Sequence, residues 1–478
     1  MQQVHLIGIG GTGLSAIALV LLERGVRVTG SDRQDSPLAQ RVRAAGGEVT
    51  IGHKAENVRG ADLVVRSSAI SEENVEVQAA RAAGIPVLKR EDFLGRLTND
   101  RQVVAVAGSH GKTTTTAMIA WMLKDLGQDP SYIIGGVSNN LGSNAHAGQG
   151  EIFVVEADEY DRMFLGLRPD IAVVTNIEHD HPDCYPTPAD FYGAFLEFTA
   201  RITQDGLLIA CADDPGAAQL LKDAAGRGQR TRSYGIAIGE RDFQAQALVP
   251  NDQGGFTFQV VLPQSGPESP ATSLRVALRV PGMHNVRNAL AALAVAYSLH
   301  LPMDAAVRAL EAYQGTGRRF EVRGEAAGVV VVDDYAHHPT EIRATLEAAR
   351  QRFPGHRLWA VWQPHTYSRT RTLFTEFLSA FSAAHKVLVT DIYAARERPP
   401  ADGFSARQVV QAMQHPSVLF AGTVRQAASL LAEQVQEGDV VLVLSAGDGN
   451  RIGELLLQAL REPGSSAGRI VHYFMQSG

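Results

Sequence analysis

The stretch that decides the fold is QVVAVAGSHGKTTTT, Gln102 to Thr116. Its first half, Gln102 to Ala107, is an apolar run suited to a buried strand, and its second half turns through glycines into a Thr-rich helix. A strand, a glycine turn and a helix N-terminus in that order bring backbone N–H groups against phosphate oxygens. Gly108, Ser109, His110, Gly111 and Thr114 are therefore expected to cradle a nucleotide's phosphates. Lys112 is expected to reach the β and γ phosphates and Thr113 to ligate Mg2+. Val106 stands where the strict motif has its first glycine, yet such a turn in this context is seldom only structural.

Reading downstream, the apolar strands Ile152 to Val155 and Ile171 to Thr175 end in Glu156-Ala157-Asp158-Glu159 and in NIEHDHPD, Asn176 to Asp183; Leu207 to Ala210 follows. Side chains at the C-terminal ends of parallel strands project into the crevice where α/β sheets bind ligands. Glu156 is thus a candidate Mg2+ ligand, against the plainer reading of a solvated acidic loop. His179, Asp180, His181 and Asp183 offer zinc-type donors, but the nearby sulfur is Cys184 alone and the spacing fits no zinc pattern, so Mg2+ is expected. Between Asp242 and Val280 the helical period gives way to alternation at Phe256, Phe258 and Val260, then Leu274, Val276 and Leu278, which predicts added antiparallel strands. Pro281 to Asn288 opens an Ala-rich helix; Asn285 is either its N-cap or, with Asn288 one turn on, a polar contact for a purine edge.

Upstream, Val4 to Ile7 runs into Gly8-Ile9-Gly10-Gly11-Thr12-Gly13, and Asp32 closes the next strand about 20 residues later. That spacing predicts a diphosphate site, which NAD or a nucleotide sugar would satisfy. Leu63 to Val65, a helix near Glu72 to Ala83 and Pro86 to Leu88 continue the alternation, and Leu97 to Arg101 reads as a linker. Gly315-Thr316-Gly317 marks a second boundary. Beyond it Val329 to Val332, a helix after Pro339, Leu358 to Trp362, Val387 to Thr390 and Val440 to Leu444 form another βαβ series. Arg318-Arg319, Asp333 to Pro339 (DDYAHHP), and His365 with Arg369 and Arg371 gather at its strand ends, as a convergent site would. Pro463 to Gly468 reads as a flexible tail. The fold class is α/β with parallel sheets covered by helices, in three domains, 1–99, 100–315 and 316–478.

The bulk numbers agree. With 478 residues, 45% hydrophobic and 20% charged, the chain is globular, and length alone suggests about three domains. A net charge of −7 supplies no field for gripping nucleic acid or an anionic membrane. Two cysteines and the lack of a signal-like N-terminus or long apolar span lead to an expected cytoplasmic location, without membrane insertion.

Together the blocks HLIGIGGTGLSAIA, SSAI (Ser67 to Ile70), GSHGKTTTT, EADEYD, TNIEHDHPD, GMHNVRNALAA, GTGRRFE, DDYAHHPTE, QPHTYSRT and SAGD resemble the Mur ligase family over nearly the whole chain. The resemblance implies an N-terminal Rossmann-like domain for a UDP-sugar, a central ATPase domain and a C-terminal Rossmann-like domain for an amino acid. It implies ATP and Mg2+, and an amide-forming reaction in peptidoglycan precursor synthesis that joins L-alanine to the lactyl carboxylate of UDP-N-acetylmuramate through an acyl phosphate. The recycling branch, which attaches a preformed peptide to the same sugar nucleotide, is the alternative. By matching motif, Lys112 would stabilise the transferring phosphoryl group; Thr113, Glu156 and His181 would bind magnesium; Asn285 and Asn288 would contact adenine. Arg319 and Asp334 would close the nucleotide site, while Tyr335, His337, His365 and Arg369 would lie towards alanine and the muramate carboxylate. Gly8, Gly10, Gly11, Thr12, Gly13, Asp32, Ser67 and Ser68 would hold the UDP. The implied assembly is a monomer or homodimer. Several relatives use a carboxylated lysine at a second metal, but no lysine lies between Lys124 and Lys222 here, which agrees with the alanine-adding branch. Thr366 replaces a common arginine, and Ser445 to Asp448 lacks the usual Met-Gly lead.

Overall fold

Three sheets, each built from a different third of the sequence, carry the helices and set the site. In the computed structural model residues 2–462 are described apart from 238, 240 and 264–271, so the expected tail at Pro463 to Gly468 lies outside the described residues. The first sheet is wholly parallel, in the spatial order Glu48–Ile51, Arg27–Asp32, Gln3–Ile7, Leu63–Arg66, Val87–Lys89. The chain thus starts in the middle and winds outward both ways, and the switch point lies above Gly8 to Gly13, where such sheets bind ligands.

Among the described residues the central sheet has ten strands. Gln102–Ala107 lies between Ile152–Glu156 and Ile171–Val174, both parallel to it, so the phosphate loop and the two acidic strand ends emerge side by side. The alternation beyond Asp242 forms the expected antiparallel extension, Phe243–Pro250, Phe256–Val261 and Ser273–Ala277. Lys112–Asp125 and Met283–Ser298 are almost wholly buried because small Ala and Thr side chains let helices pack closely against each other and the sheet. The third sheet has six strands, with Val329–Asp334, Asp439–Ser445, Arg357–Gln363, Lys386–Thr390 and Val418–Gly422 parallel and Glu321–Ala326 antiparallel at one edge. No helix among the described residues is long and apolar enough to cross a membrane.

The expected linker Leu97 to Arg101 is mostly not one. Leu97 and Thr98 are buried in the last turn of a helix, Arg90–Thr98, whose Phe93, Leu94 and Leu97 join a core shared by the first and central sheets. The polar Thr-Asn-Asp that suggested a linker is this helix's C-terminal end. The sequence reading also passed over Pro37–Ala44 and Glu48–Ile51, which bury only Ala39 and Val42 between them and so carry little periodic signal.

Below the first sheet, Glu76 is fully buried and accepts hydrogen bonds from Ser31 Oγ and Asn57 Nδ2, with His53 at 3.0 Å. Burial alone would raise its pKa, but the His5, Ser31 and Asn57 contacts bring it down to about 2. A carboxylate depressed in the folded state contributes stability that is present above its unfolded value near 4.5 and is lost as pH falls through 2. The expected result is an acid-side stability loss of about 3 kcal/mol over that window, absent in Glu76→Gln, measured by urea unfolding at stepped pH.

Candidate active site

The phosphate loop takes the predicted form. Gly111 caps the helix Lys112–Asp125 with a φ of +80°, a conformation glycine adopts without strain. Lys112 Nζ folds back over the loop, donating to Gly108 O at 2.6 Å, Ser109 O at 3.2 Å and Glu159 Oε1 at 2.8 Å. Glu159 is 1% exposed. Burial opposes both charges, but each sustains the other: the Lys112 pKa rises beside Glu159, Asp158 and Glu156, and the Glu159 pKa falls beside Lys112 and His181.

Thr113 Oγ1 donates to Glu156 Oε1 at 3.0 Å, and Gly135 N donates to the other carboxylate oxygen at 2.6 Å. Burial pushes the Glu156 carboxyl up, and the nearby Lys112 and Arg319 charges only partly offset it. His181 approaches Glu159 at 3.5 Å and Asp180 at 3.7 Å, so the histidine joins the cluster through Glu159 and Asp180. A hydroxyl and a half-buried carboxylate at the end of such a loop are hard oxygen donors of the kind Mg2+ takes alongside phosphates.

The third domain closes over this edge. Arg319 lies 3.5 Å from Thr113 Oγ1 and above the Tyr335 ring at 5.0 Å. Arg369, 5% exposed, donates through Nε to Asp180 at 2.9 Å and lies 3.1 Å from His365 Nδ1 and 3.4 Å from His181 Nδ1. Arg369 holds the Asp180 carboxyl well below its ordinary range despite burial. His337 and His365 have ring centroids 5.9 Å apart, and burial lowers their pKa values to about 3 and about 4, so both are neutral near pH 7.

A cavity of about 310 Å³ opens beside the phosphate loop, lined among others by His110, Gly111, Thr114, Asn285, Asn288, Arg319 and Asp334. Asn285 is not the helix cap; that is Gly282, while Asn285 sits one turn in, donating to Pro281 O at 2.7 Å and accepting from Asn288 at 3.0 Å. Asp334 accepts from Phe320 N and Ala336 N, both at 2.8 Å, and burial raises its pKa to about 6. In the first domain Gly10 N donates to Asp32 Oδ2 at 2.9 Å, so Asp32 shapes the glycine loop, and Ser67 packs against Gly8. Ser68 is half-buried beside it, with no contact to the loop described.

Several members were not singled out from sequence. Glu159 and Glu178 lay inside quoted blocks, but their partners Lys112 and His110 are 47 and 68 residues away. Arg90 gave no local signal. Its guanidinium fills the space where a side chain at Gly13 would go and donates to Asp158 at 3.3 Å, joining the first domain's glycine loop to the acidic strand end.

Comparison with known proteins places this architecture. Residues 3–102 match the Mur ligase family catalytic domain, 106–296 the Mur ligase middle domain and 318–447 the Mur ligase glutamate ligase domain, and the chain belongs to the Mur ligase family. It is 44% identical to the UDP-N-acetylmuramate–L-alanine ligase of Roseiflexus sp. (strain RS-1), over 96% of this chain and 99% of that protein. It is 45% identical to the enzyme of the same name from Renibacterium salmoninarum, over 97% of each. Among solved structures, the UDP-N-acetylmuramate-alanine ligase of Thermotoga maritima superposes with a TM-score of 0.78 at 27% identity, over 96% of this chain and 99% of that one. A murein peptide ligase from Psychrobacter arcticus gives 0.71 at 26%, over the same shares.

Proposed function

We propose that this chain is an ATP-dependent carbon–nitrogen ligase of peptidoglycan precursor synthesis that joins L-alanine to the lactyl carboxylate of UDP-N-acetylmuramate, releasing ADP and phosphate. The observation that carries it is the near full-length identity to ligases named for L-alanine. The peptide-attaching alternative is not favoured, since its named structural relative is the more distant of the two compared.

In this reading residues 1–99 hold the UDP-sugar, with Gly8 to Gly13, Asp32, Ser67 and Ser68 around the diphosphate and nucleoside. Residues 100–315 hold ATP: the loop Gly108 to Thr114 takes the phosphates, and Asn285 and Asn288 face the adenine side. Residues 316–478 bring Arg319 and Asp334 to the nucleotide and Tyr335, His337, His365 and Arg369 to the amino acid. A lactyl carboxylate oxygen takes the γ-phosphoryl group from ATP, giving an acyl phosphate and ADP. The alanine nitrogen then bonds to the carbonyl carbon, the carbon–oxygen bond to phosphate breaks, and the nitrogen loses a proton. Lys112 offsets the charge on the phosphoryl oxygens from a fixed position that needs no reorganisation.

Thr113, Glu156 and His181 are the residues that would hold Mg2+. When bound it supplies charge neutralisation to the phosphates. His337 Nδ1 lies 2.9 Å from Tyr335 O, which can only accept, so the neutral ring keeps its Nε2 lone pair free. Arg369 can only donate, so His365 Nδ1 is an acceptor and its proton is on Nε2. These two fixed tautomers give one acceptor and one donor for an incoming amino acid's amine and carboxylate. The substrates suit a cytoplasmic enzyme, acting as a monomer or homodimer. The test is phosphate release from ATP, which should require Mg2+, UDP-N-acetylmuramate and L-alanine together.

A further inference from the structure

His110, Glu178 and His338 meet where the phosphate loop of the central domain touches the helix Pro339–Arg352 of the third. One donor atom from each lies within 4.8 Å of the other two. We propose that these three side chains form a binding site for a zinc-type transition-metal dication, made of ligands separate from Thr113, Glu156 and His181, and that its occupation staples the two domains and blocks turnover.

The donor spacing fits. A metal about 2.1 Å from each donor in a tetrahedral shell holds the donors about 3.4 Å apart. Glu178 Oε2 lies 2.8 Å from His110 Nε2 and 3.8 Å from His338 Nδ1, values on either side of that spacing. Two imidazoles and one carboxylate suit Zn2+ or Co2+ rather than Mg2+, which prefers oxygen.

The surroundings are also those of a metal centre. The far nitrogen of His110, Nδ1, faces Glu341 Oε1 at 3.2 Å, the carboxylate–histidine arrangement that fixes an imidazole for ligation through its other nitrogen. The second oxygen of Glu178 accepts from Thr340 Oγ1 at 2.7 Å, which leaves Oε2 directed at the cluster. His338 is 3% exposed, and its Nδ1, the nitrogen that faces Glu178, carries the lone pair a metal would take in place of the long 3.3 Å contact from Thr340 N. Without metal, a proton stands in: His110, between Glu178 and Glu341, has its pKa raised to about 10 despite burial. Because His110 and Glu178 both line the nucleotide cavity, a metal held by them competes with ATP for the same walls.

Co2+ serves as the probe, titrated into the full chain in excess Mg2+ and followed by its visible d–d absorption. The expected result is one Co2+ bound with the intense bands of low coordination and displaced by Zn2+. His338→Asn should lower its affinity about tenfold or more, as should Glu178→Gln. His338 caps its helix by accepting from Thr340 N at 3.3 Å, and asparagine is a better cap, so H338N removes an imidazole while keeping the helix start. In Mg2+-supported turnover, the Zn2+ concentration for half-inhibition should rise by a similar factor in H338N. Equal Co2+ spectra and affinities in the wild type, H338N and E178Q would overturn the proposal, as would the absence of a bound Co2+ band in the wild type. Should H338N fail to fold, E178Q alone decides between these results.

Discussion

Replacing Lys112 by alanine is expected to lower kcat by about a thousandfold or more, the scale seen when a fixed positive group is removed from a phosphoryl-transfer site. The loss has two sources that can be separated. In the proposed reaction Lys112 would supply charge where the γ-phosphoryl group passes, and it also pairs with Glu159, which is 1% exposed. K112A therefore leaves a buried carboxylate without its partner, at a cost of about 3–5 kcal/mol unless the acid takes up a proton. The double variant Lys112→Met with Glu159→Gln removes both charges and should recover most of the melting temperature but none of the turnover. Turnover returning with stability would mean that Lys112 matters for folding alone.

The second large effect lies at the third-domain seam. Arg369→Ala is expected to reduce kcat/KM by at least about a hundredfold. Arg369 and Asp180 are 6% and 4% exposed as side chains, lie 189 residues apart in sequence and come from different domains. Breaking a buried ion pair of this kind costs about 3–5 kcal/mol, because Asp180 stays buried without its arginine and keeps only the His181 contacts. Here that cost falls on the contact between two separately cored domains, so it appears as their separation before either unfolds. Small-angle scattering of R369A should show a larger radius of gyration than the wild type with ATP and UDP-N-acetylmuramate present. Arg369→Lys keeps the charge but loses the planar fork that reaches Asp180, His365 and His181 together, so it should restore only part of the activity. Wild-type scattering and kinetics in R369A would remove this pair from the account.

The two predictions also mark what can be read from sequence and what cannot. The phosphate loop and the GxGxxG turn are local: a few consecutive residues determine strand, turn and helix, and Gly111 adopts the positive φ its turn requires. The central parallel strands, such as Gln102–Ala107, Ile171–Val174 and Asp439–Ser445, are continuous apolar runs, because they are buried on both faces. Elements with little buried surface left little trace, as at Glu48–Ile51, whose residues are mostly exposed. Motif position named Lys112, Thr113, Glu156, His181, Arg319 and Arg369, and the structure brings them to one edge. The pairings that give them their charge states were not legible, since Lys112 with Glu159 and Arg369 with Asp180 depend on which strands lie side by side and how the third domain sits. Arg90 is the clearest case: a lone arginine after a short strand, whose role at Gly13 and Asp158 exists only once two domains are packed together.

The most direct test of the central claim is a single competition. The purified chain, with ATP, Mg2+ and UDP-N-acetylmuramate, is given L-alanine and the preformed tripeptide in equal amounts, and the sugar-nucleotide products are weighed by mass spectrometry. The account predicts a product heavier than UDP-N-acetylmuramate by one alanine residue, formed with one phosphate released per amide and lost in K112A. A product carrying the tripeptide instead, or phosphate release that does not depend on either amine, would contradict it.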